Sequence, residues 1–216
     1  MCRARWLLAA CLLAAAPAAL AQTAAPPWGL EPLMLSLSQV QFASANFIER
    51  KTSPLLSAPL ITQGTLTYTA PDYMRKTTLS PMSESFTLNH NRVTMSGGPD
   101  GETREFLLAE APQIGGLVEG IRATLAGDLP TLHRLYEVQL SGGAASWQLL
   151  LRPKDPRLAR FVQTIMVQGS QDRIDVIDTL SPDGSDSSMS ISDIVNTPVP
   201  PPPAAQDYAR RYDEHR

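Results

Sequence analysis

The stretch Gly64–Pro81 most constrains what this chain can fold into. From Thr65 to Thr69, threonine alternates with Leu66 and Tyr68, so a strand here has one apolar and one hydroxylated face. Ala70-Pro71-Asp72 then breaks it, because Pro71 offers no N–H to a ladder and Asp72 folds back on its own backbone. The chain resumes as a threonine-rich strand from Met74 to Leu79, and Pro81 stops it. Such a hairpin must turn its apolar face toward something, either the protein's own core or a cargo.

The same period of two runs through most of the chain. Phe42 to Lys51 is strand-like, with Phe47 and Ile48 on opposite faces and charge at Glu49, Arg50 and Lys51. Glu84 to Asn89 turns Phe86 and Leu88 inward, and Val93 and Met95 follow after a turn at Asn89-His90-Asn91. Tyr136, Val138 and Leu140 form one strand, Gly142-Gly143 a turn, and Trp147, Leu149 and Leu151 the partner strand. Three further strands carry Ile165 with Val167, Ile174 with Val176, and Met189 with Ile191. Helical spacing occurs twice. Leu30, Leu33, Met34, Leu37 and Val40 predict one helix ending near Gln41; Ile114, Leu117, Val118, Ile121 and Leu125 predict another between Pro112 and Gly127. Gly115 and Gly116 weaken that second helix by about 1 kcal/mol each relative to alanine. They suit either a mobile cover or a helix packed very closely against a neighbour. About nine or ten strands in meander order with two helices predict an α+β fold, a strongly curved antiparallel sheet with helices on its concave face.

The ends read differently from this body. Arg3 and Arg5, an apolar run from Trp6 to Ala16 and the small residues Ala19-Leu20-Ala21 form a cleaved secretory signal over residues 1–21. A membrane anchor is disfavoured by the shortness of the apolar run, a span needing about 20 residues. Leu8-Ala9-Ala10-Cys11 has the form of a lipid-attachment site at Cys11, although the apolar run continues past it. Residues 22–29 read as a linker, 30–195 as one domain, and 196–216 as a proline-rich tail expected to be disordered. Both cysteines, Cys2 and Cys11, lie in the leader, so the exported body has no disulfide and its fold rests on burial. Without the leader, 16 basic residues face 21 acidic ones, net −5, which disfavours nucleic acid or an anionic membrane as a bulk electrostatic partner.

Nothing here has the spacing of a catalytic or metal site, and the sequence predicts neither an enzyme nor a cofactor. His90, His133 and His215 lack acidic or cysteine neighbours at ligand spacing. Ser181 to Asp186 is acidic but lacks the ligand order of a calcium loop, and no Gly-x-Ser-x-Gly elbow or phosphate loop occurs. The distinctive feature is a surplus of inward apolar residues. Phe47, Leu66, Tyr68, Met74, Phe86, Leu88, Val93, Met95, Trp147, Leu149, Leu151, Ile165 and Val167 are candidates for the wall of an apolar hollow as well as for plain core. Met74, Met95, Met166 and Met189 would let such a hollow adapt to varied shapes. The two helices, through Leu33, Leu37, Ile114, Leu117, Val118 and Ile121, would cover it, with cargo passing beneath them.

These residues resemble a known family. Phe47-x-Glu49-x-Lys51, Leu56-x-x-Pro59-Leu60, Gly64-x-Leu66-x-Tyr68-x-x-Pro71-Asp72 and Pro81 are similar to the opening half of LolA-type lipoprotein carriers. Gly127-Asp128, Trp147 and Leu151-x-Pro153 resemble a LolA-like branch of that family, and the resemblance spans Leu30 to Ser192. It implies an incomplete antiparallel barrel whose helices form a lid over an apolar cavity. It also implies a monomeric periplasmic carrier that takes an acylated or lipidic cargo, a lipoprotein or another lipid-linked product, from an inner-membrane exporter to an outer-membrane acceptor. Ala70 stands where those carriers have a lid-latching arginine, and Lys76 where they have a tryptophan. The competing expectation is a non-catalytic envelope scaffold working through the proline-rich tail.

Overall fold

The computed structural model describes residues 28–98 and 100–198. The leader, the linker before Trp28, His215 and the tail beyond Pro198 lie outside these residues, and with them the expectations placed there.

The chain first forms helix α1 (Leu30–Ser38), then six strands: β1 (Phe42–Thr52), β2 (Leu60–Thr69), β3 (Tyr73–Ser80), β4 (Glu84–Asn89), β5 (Arg92–Gly97) and β6 (Arg104–Leu107). Helices α2 (Pro112–Leu125) and α3 (Leu129–Leu135) follow. The chain then returns through β7 (Tyr136–Gly143), β8 (Ser146–Pro153), β9 (Thr164–Ser170), β10 (Arg173–Leu180) and β11 (Asp186–Thr197). All eleven strands join one sheet in the order β6-β5-β4-β3-β2-β1-β11-β10-β9-β8-β7. Each pairing is antiparallel, and a seam from Phe42↔Thr197 to Thr52↔Asp186 joins the two meanders. β6 and β7 are the free edges, and α2 and α3 lie in the chain between them. The sheet is therefore a curved, unclosed barrel.

The structure departs from the sequence reading in four places. α1 ends at Ser38, three residues before the expected stop. β6 and α3 were not foreseen. α3 starts where Asp128 accepts the Thr131 N–H at 3.0 Å, directly after Gly127 closes α2 in the left-handed region (φ +64°). In β10 the pairing register shifts between Ile174 and Val176, so Ile174 and Ile177, rather than Ile174 and Val176, reach the concave side.

The apolar residues form two separate clusters. The larger packs Leu33, Met34 and Leu37 of α1 and Leu132 of α3 onto Tyr136, Trp147, Leu149, Leu151, Ile165 and Val167. Trp147 is essentially fully buried, and its indole N–H donates to the Gln171 carbonyl at 3.1 Å. The smaller cluster gathers Leu88, Val93 and Val118, with Met74, Phe86, Phe106 and Ile114 packed around it. One half of the curved sheet is thus filled. Over the other half, α2 bridges a space.

α2 is held by contact on its far side. The Tyr136 hydroxyl donates to the Gly116 carbonyl at 2.5 Å. A Cβ on Gly116 would stand 1.8 Å from Leu158 Cδ1, and one on Gly120 would stand 3.0 Å from the Tyr136 ring. The glycines let the helix backbone press onto these two side chains; of the pair Gly115 and Gly116, Gly116 fits the close-packing reading, and Gly120, which the sequence reading did not single out, makes the second close approach.

Candidate binding cavity

Beneath α2 lies a hollow of about 790 Å³. Its floor comes from strands β1 to β6, β10 and β11, and apolar pairs two residues apart such as Leu66 with Tyr68 and Met189 with Ile191 face it together, because side chains of one parity share a face. Among the residues foreseen as cavity wall, Leu66, Tyr68, Met74, Phe86 and Met95 line it. Among those foreseen as lid, Leu37, Ile114, Leu117, Val118 and Ile121 do.

The others lie elsewhere. Trp147, Leu149, Leu151 and Ile165 belong to the filled cluster, as does Leu33. Leu88 and Val93 are sealed in the smaller cluster. Phe47 is on the concave side but covered, with the Lys76 ammonium 4.9 Å above its ring centroid. Met166 pairs with Leu150 and Asp178 and sits one residue out of phase with the buried Ile165 and Val167, away from the hollow. The lining gains Leu125, Phe106, Ile174, Ile177, Ile191 and Ile194, and it includes Met189.

One end of the hollow is charged. Glu49 follows Phe47 by two residues on β1 and so faces the same side, with only 5% of its surface exposed. Its carboxylate accepts hydrogen bonds from Lys76 Nζ and from Ser187 Oγ at 2.6 Å, with Thr62 Oγ1 at 3.4 Å. Lys51 Nζ stands 3.4 Å away. Burial pushes the Glu49 pKa up, but the charge and hydrogen bond of Lys76, with Ser187 and Lys51, outweigh it and hold the carboxyl below its ordinary value. The group is therefore an ionised carboxylate in the wall of an otherwise greasy space. Lys51, Asp100, Glu102 and Arg104 also border the hollow and are exposed, so it opens to solvent here.

At the other end Tyr68 is buried, and its hydroxyl has no hydrogen-bond partner among the described residues. Burial first, and the Asp72 charge second, push its pKa up to about 12 against the pull of Arg122. The hydroxyl is thus a neutral donor at the apolar end. Among the described residues no three His, Cys, Asp or Glu side chains are grouped to hold a metal ion. His90 and His133 are exposed, and no described helix is long and apolar enough to cross a membrane.

A search of the curated proteins finds no sequence relative. Among solved structures, a DUF1329 family protein from Desulfovibrio piger superposes with a TM-score of 0.47 at 10% identity, covering 77% of this chain and 90% of that one. A LolA superfamily protein from Nitrosomonas europaea gives a TM-score of 0.40 at 11% identity, covering 77% and 93%. The Pseudomonas aeruginosa MucA/MucB complex gives 0.44 at 11% identity, covering 81% of this chain and 59% of that one. At the level of sequence, the family described as outer membrane lipoprotein carrier protein LolA-like matches residues 21–193. With an unclosed antiparallel barrel, covering helices and an apolar hollow, this chain belongs to the LolA-like outer membrane lipoprotein carrier family.

Proposed function

We propose that this protein is a periplasmic carrier that holds the apolar part of an acylated or lipid-linked cargo in the hollow and passes it from an inner-membrane donor to an outer-membrane acceptor. No chemical step is involved. The observation that carries this reading is the hollow of about 790 Å³ left between two filled clusters and lined by Leu66, Met74, Phe86, Met95, Ile121 and Ile191. Its size lies in the range of about 300–1,000 Å³ typical of ligand pockets. Each methylene moved from water into such a space gains about 0.8 kcal/mol, so an acyl chain is held firmly without a directed polar group. Handover then needs only an acceptor that binds the same chain more tightly, tenfold for about each 1.4 kcal/mol.

Close packing of α2 on Tyr136 and Leu158 favours loading through the charged, open end rather than beneath a swinging helix. The test is native mass spectrometry of the protein isolated from the periplasm, with identification of whatever dissociates from it. A bound acyl or lipid species is the expected result. A protein that arrives empty and takes up no hydrophobic probe refutes the carrier reading.

A further inference from the structure

An apolar chain needs no charge, yet the hollow contains a charged cluster at its mouth. Lys76 pairs in register with Leu66 and Phe86, both of which line the hollow. Its ammonium is nevertheless bonded to Glu49 on β1 and stands over Phe47, the register partner of Gly64. The side chain therefore reaches across β2 to β1. A buried ion pair is a weak source of stability, because the loss of hydration cancels much of the attraction. Apolar residues at Glu49 and Lys76 would hold the wall as well.

The arrangement also has a surplus of cations. Two ammonium groups, Lys76 and Lys51, approach one carboxylate. Each ammonium has three donors and Glu49 engages one side of each, so both retain donors for another acceptor. Lys51 is 46% exposed and Lys76 25%, which puts these donors at the boundary between hollow and solvent. The other charges along the hollow are Arg75, Glu84, Asp100, Glu102, Arg104 and Asp172. Asp100 and Glu102 lie 3.4 and 3.2 Å from Arg104, all three about two-thirds exposed, so solvent and Arg104 screen their repulsion.

We infer that Lys51 and Lys76 form a headgroup subsite for an anionic amphiphile, whose phosphate or carboxylate oxygens sit on the two ammonium groups while its apolar part runs toward Tyr68 and Ile121. Glu49 is the positioning residue: it keeps the lysines together in the empty protein. This rests on the carrier reading and specifies the chemistry of the cargo.

The experiment measures binding of three probes with one common chain to the purified protein: palmitate, palmitoyl lysophosphatidate and uncharged monopalmitoylglycerol. The two anions are expected to bind about tenfold more tightly than the neutral probe, the scale of a charge-assisted contact. The ratio of palmitate to lysophosphatidate then separates carboxylate from phosphate. Lys51→Gln, at a half-exposed position, is expected to remove most of that preference and to leave monopalmitoylglycerol within about twofold. Lys76→Met alone strands a buried carboxylate, so the companion variant is Glu49→Gln with Lys76→Met, its folding verified by thermal denaturation. It keeps Lys51, so it is expected to retain only part of the preference for the anions, and a preference as large as that of the unaltered protein overturns the role of Lys76. Equal binding of charged and neutral probes by the unaltered protein, or equal weakening of all three by Lys51→Gln, overturns the subsite and leaves the carrier reading standing. Failure of every probe overturns both.

Discussion

If α2 is a fixed roof, a methyl group on Gly116 should harm the fold even though it favours the helix. Alanine in place of a helical glycine gains about 1 kcal/mol of intrinsic propensity. The new Cβ, however, would lie 1.8 Å from Leu158 Cδ1 and 2.7 Å from both Cδ2 and Cγ, far inside van der Waals contact. The whole end of the leucine must move, and overpacking of this kind costs about 1–3 kcal/mol. Gly116→Ala is therefore expected to lose up to about 2 kcal/mol net. In a domain of this size each kcal/mol lowers Tm by about 2–4 °C. Leu158→Ala alone, at a half-buried site, costs about 2 kcal/mol, the low end for such truncations. In the double variant the added methyl occupies vacated space and the propensity gain returns, so the two changes should couple favourably by about 1–3 kcal/mol. Urea denaturation of the four proteins measures this coupling. If Gly116→Ala raises stability by its full propensity gain and shows no coupling to Leu158→Ala, α2 does not press on Leu158 and is free to lift.

Three further predictions follow from the division between hollow and core. Leu66→Glu or Phe86→Glu should lower uptake of a hydrophobic fluorescent probe at least about tenfold while the fold survives, whereas Trp147→Ala should cost about 3–5 kcal/mol of stability; equal loss of fold in all three makes the supposed lining core. Across saturated fatty acids of increasing length, affinity should rise about fourfold per methylene until the hollow is full, and an affinity independent of length rules out burial of the chain. Because the Glu49 carboxyl is held below its ordinary value, the unfolded chain takes up its proton first, and stability is lost as pH falls below about 4.3 and through the folded pKa. The Tm gap between the unaltered protein and Glu49→Gln should narrow over that window, and a constant gap refutes the assignment.

The sequence reading succeeded where a feature is local. Threonine alternation placed β2 and β3, and spacing alone found α1 and α2. β6 escaped because four residues with one inward aromatic, Phe106, make no pattern, and α3 because seven residues give too short a stripe. Parity also assigned each side chain to a face, and from Phe47 it could have placed Glu49 and Lys51 inside the hollow. It could not say what stands opposite that face. Trp147 and Leu66 occupy equivalent inward positions; one meets α1 and α3, the other open space. The register shifts are equally invisible. The pairing of β1 with β11 slips between Ser44 and Asn46, and the inward series on β11 then runs from Ile191 to Ile194 instead of keeping its period.

An apolar hollow that stays open must be braced against collapse, and here the braces surround it. The β1–β11 seam fixes the curvature, the filled cluster anchors one side, Tyr136 and Leu158 hold the roof, and the Lys76–Glu49 contact ties β3 to β1 across β2. Such walls cannot close on the space, so filling it from within should stabilise the protein and block the cargo together. Ala45 gives the sharpest case. It lies opposite Leu66 in the register, lines the hollow, and is a poor strand former. Ala45→Ile adds three carbon groups and a β-branched side chain, and a cavity-filling change of this kind is worth about 0.5–2 kcal/mol of stability. The same atoms take volume from an acyl chain, at about 0.8 kcal/mol for each methylene displaced. A rise in Tm with a several-fold loss of fatty-acid affinity is therefore expected from one substitution. A fall in Tm would mean that Ala45 has no free volume before it, and the hollow would have to be narrower at β1 than its lining implies.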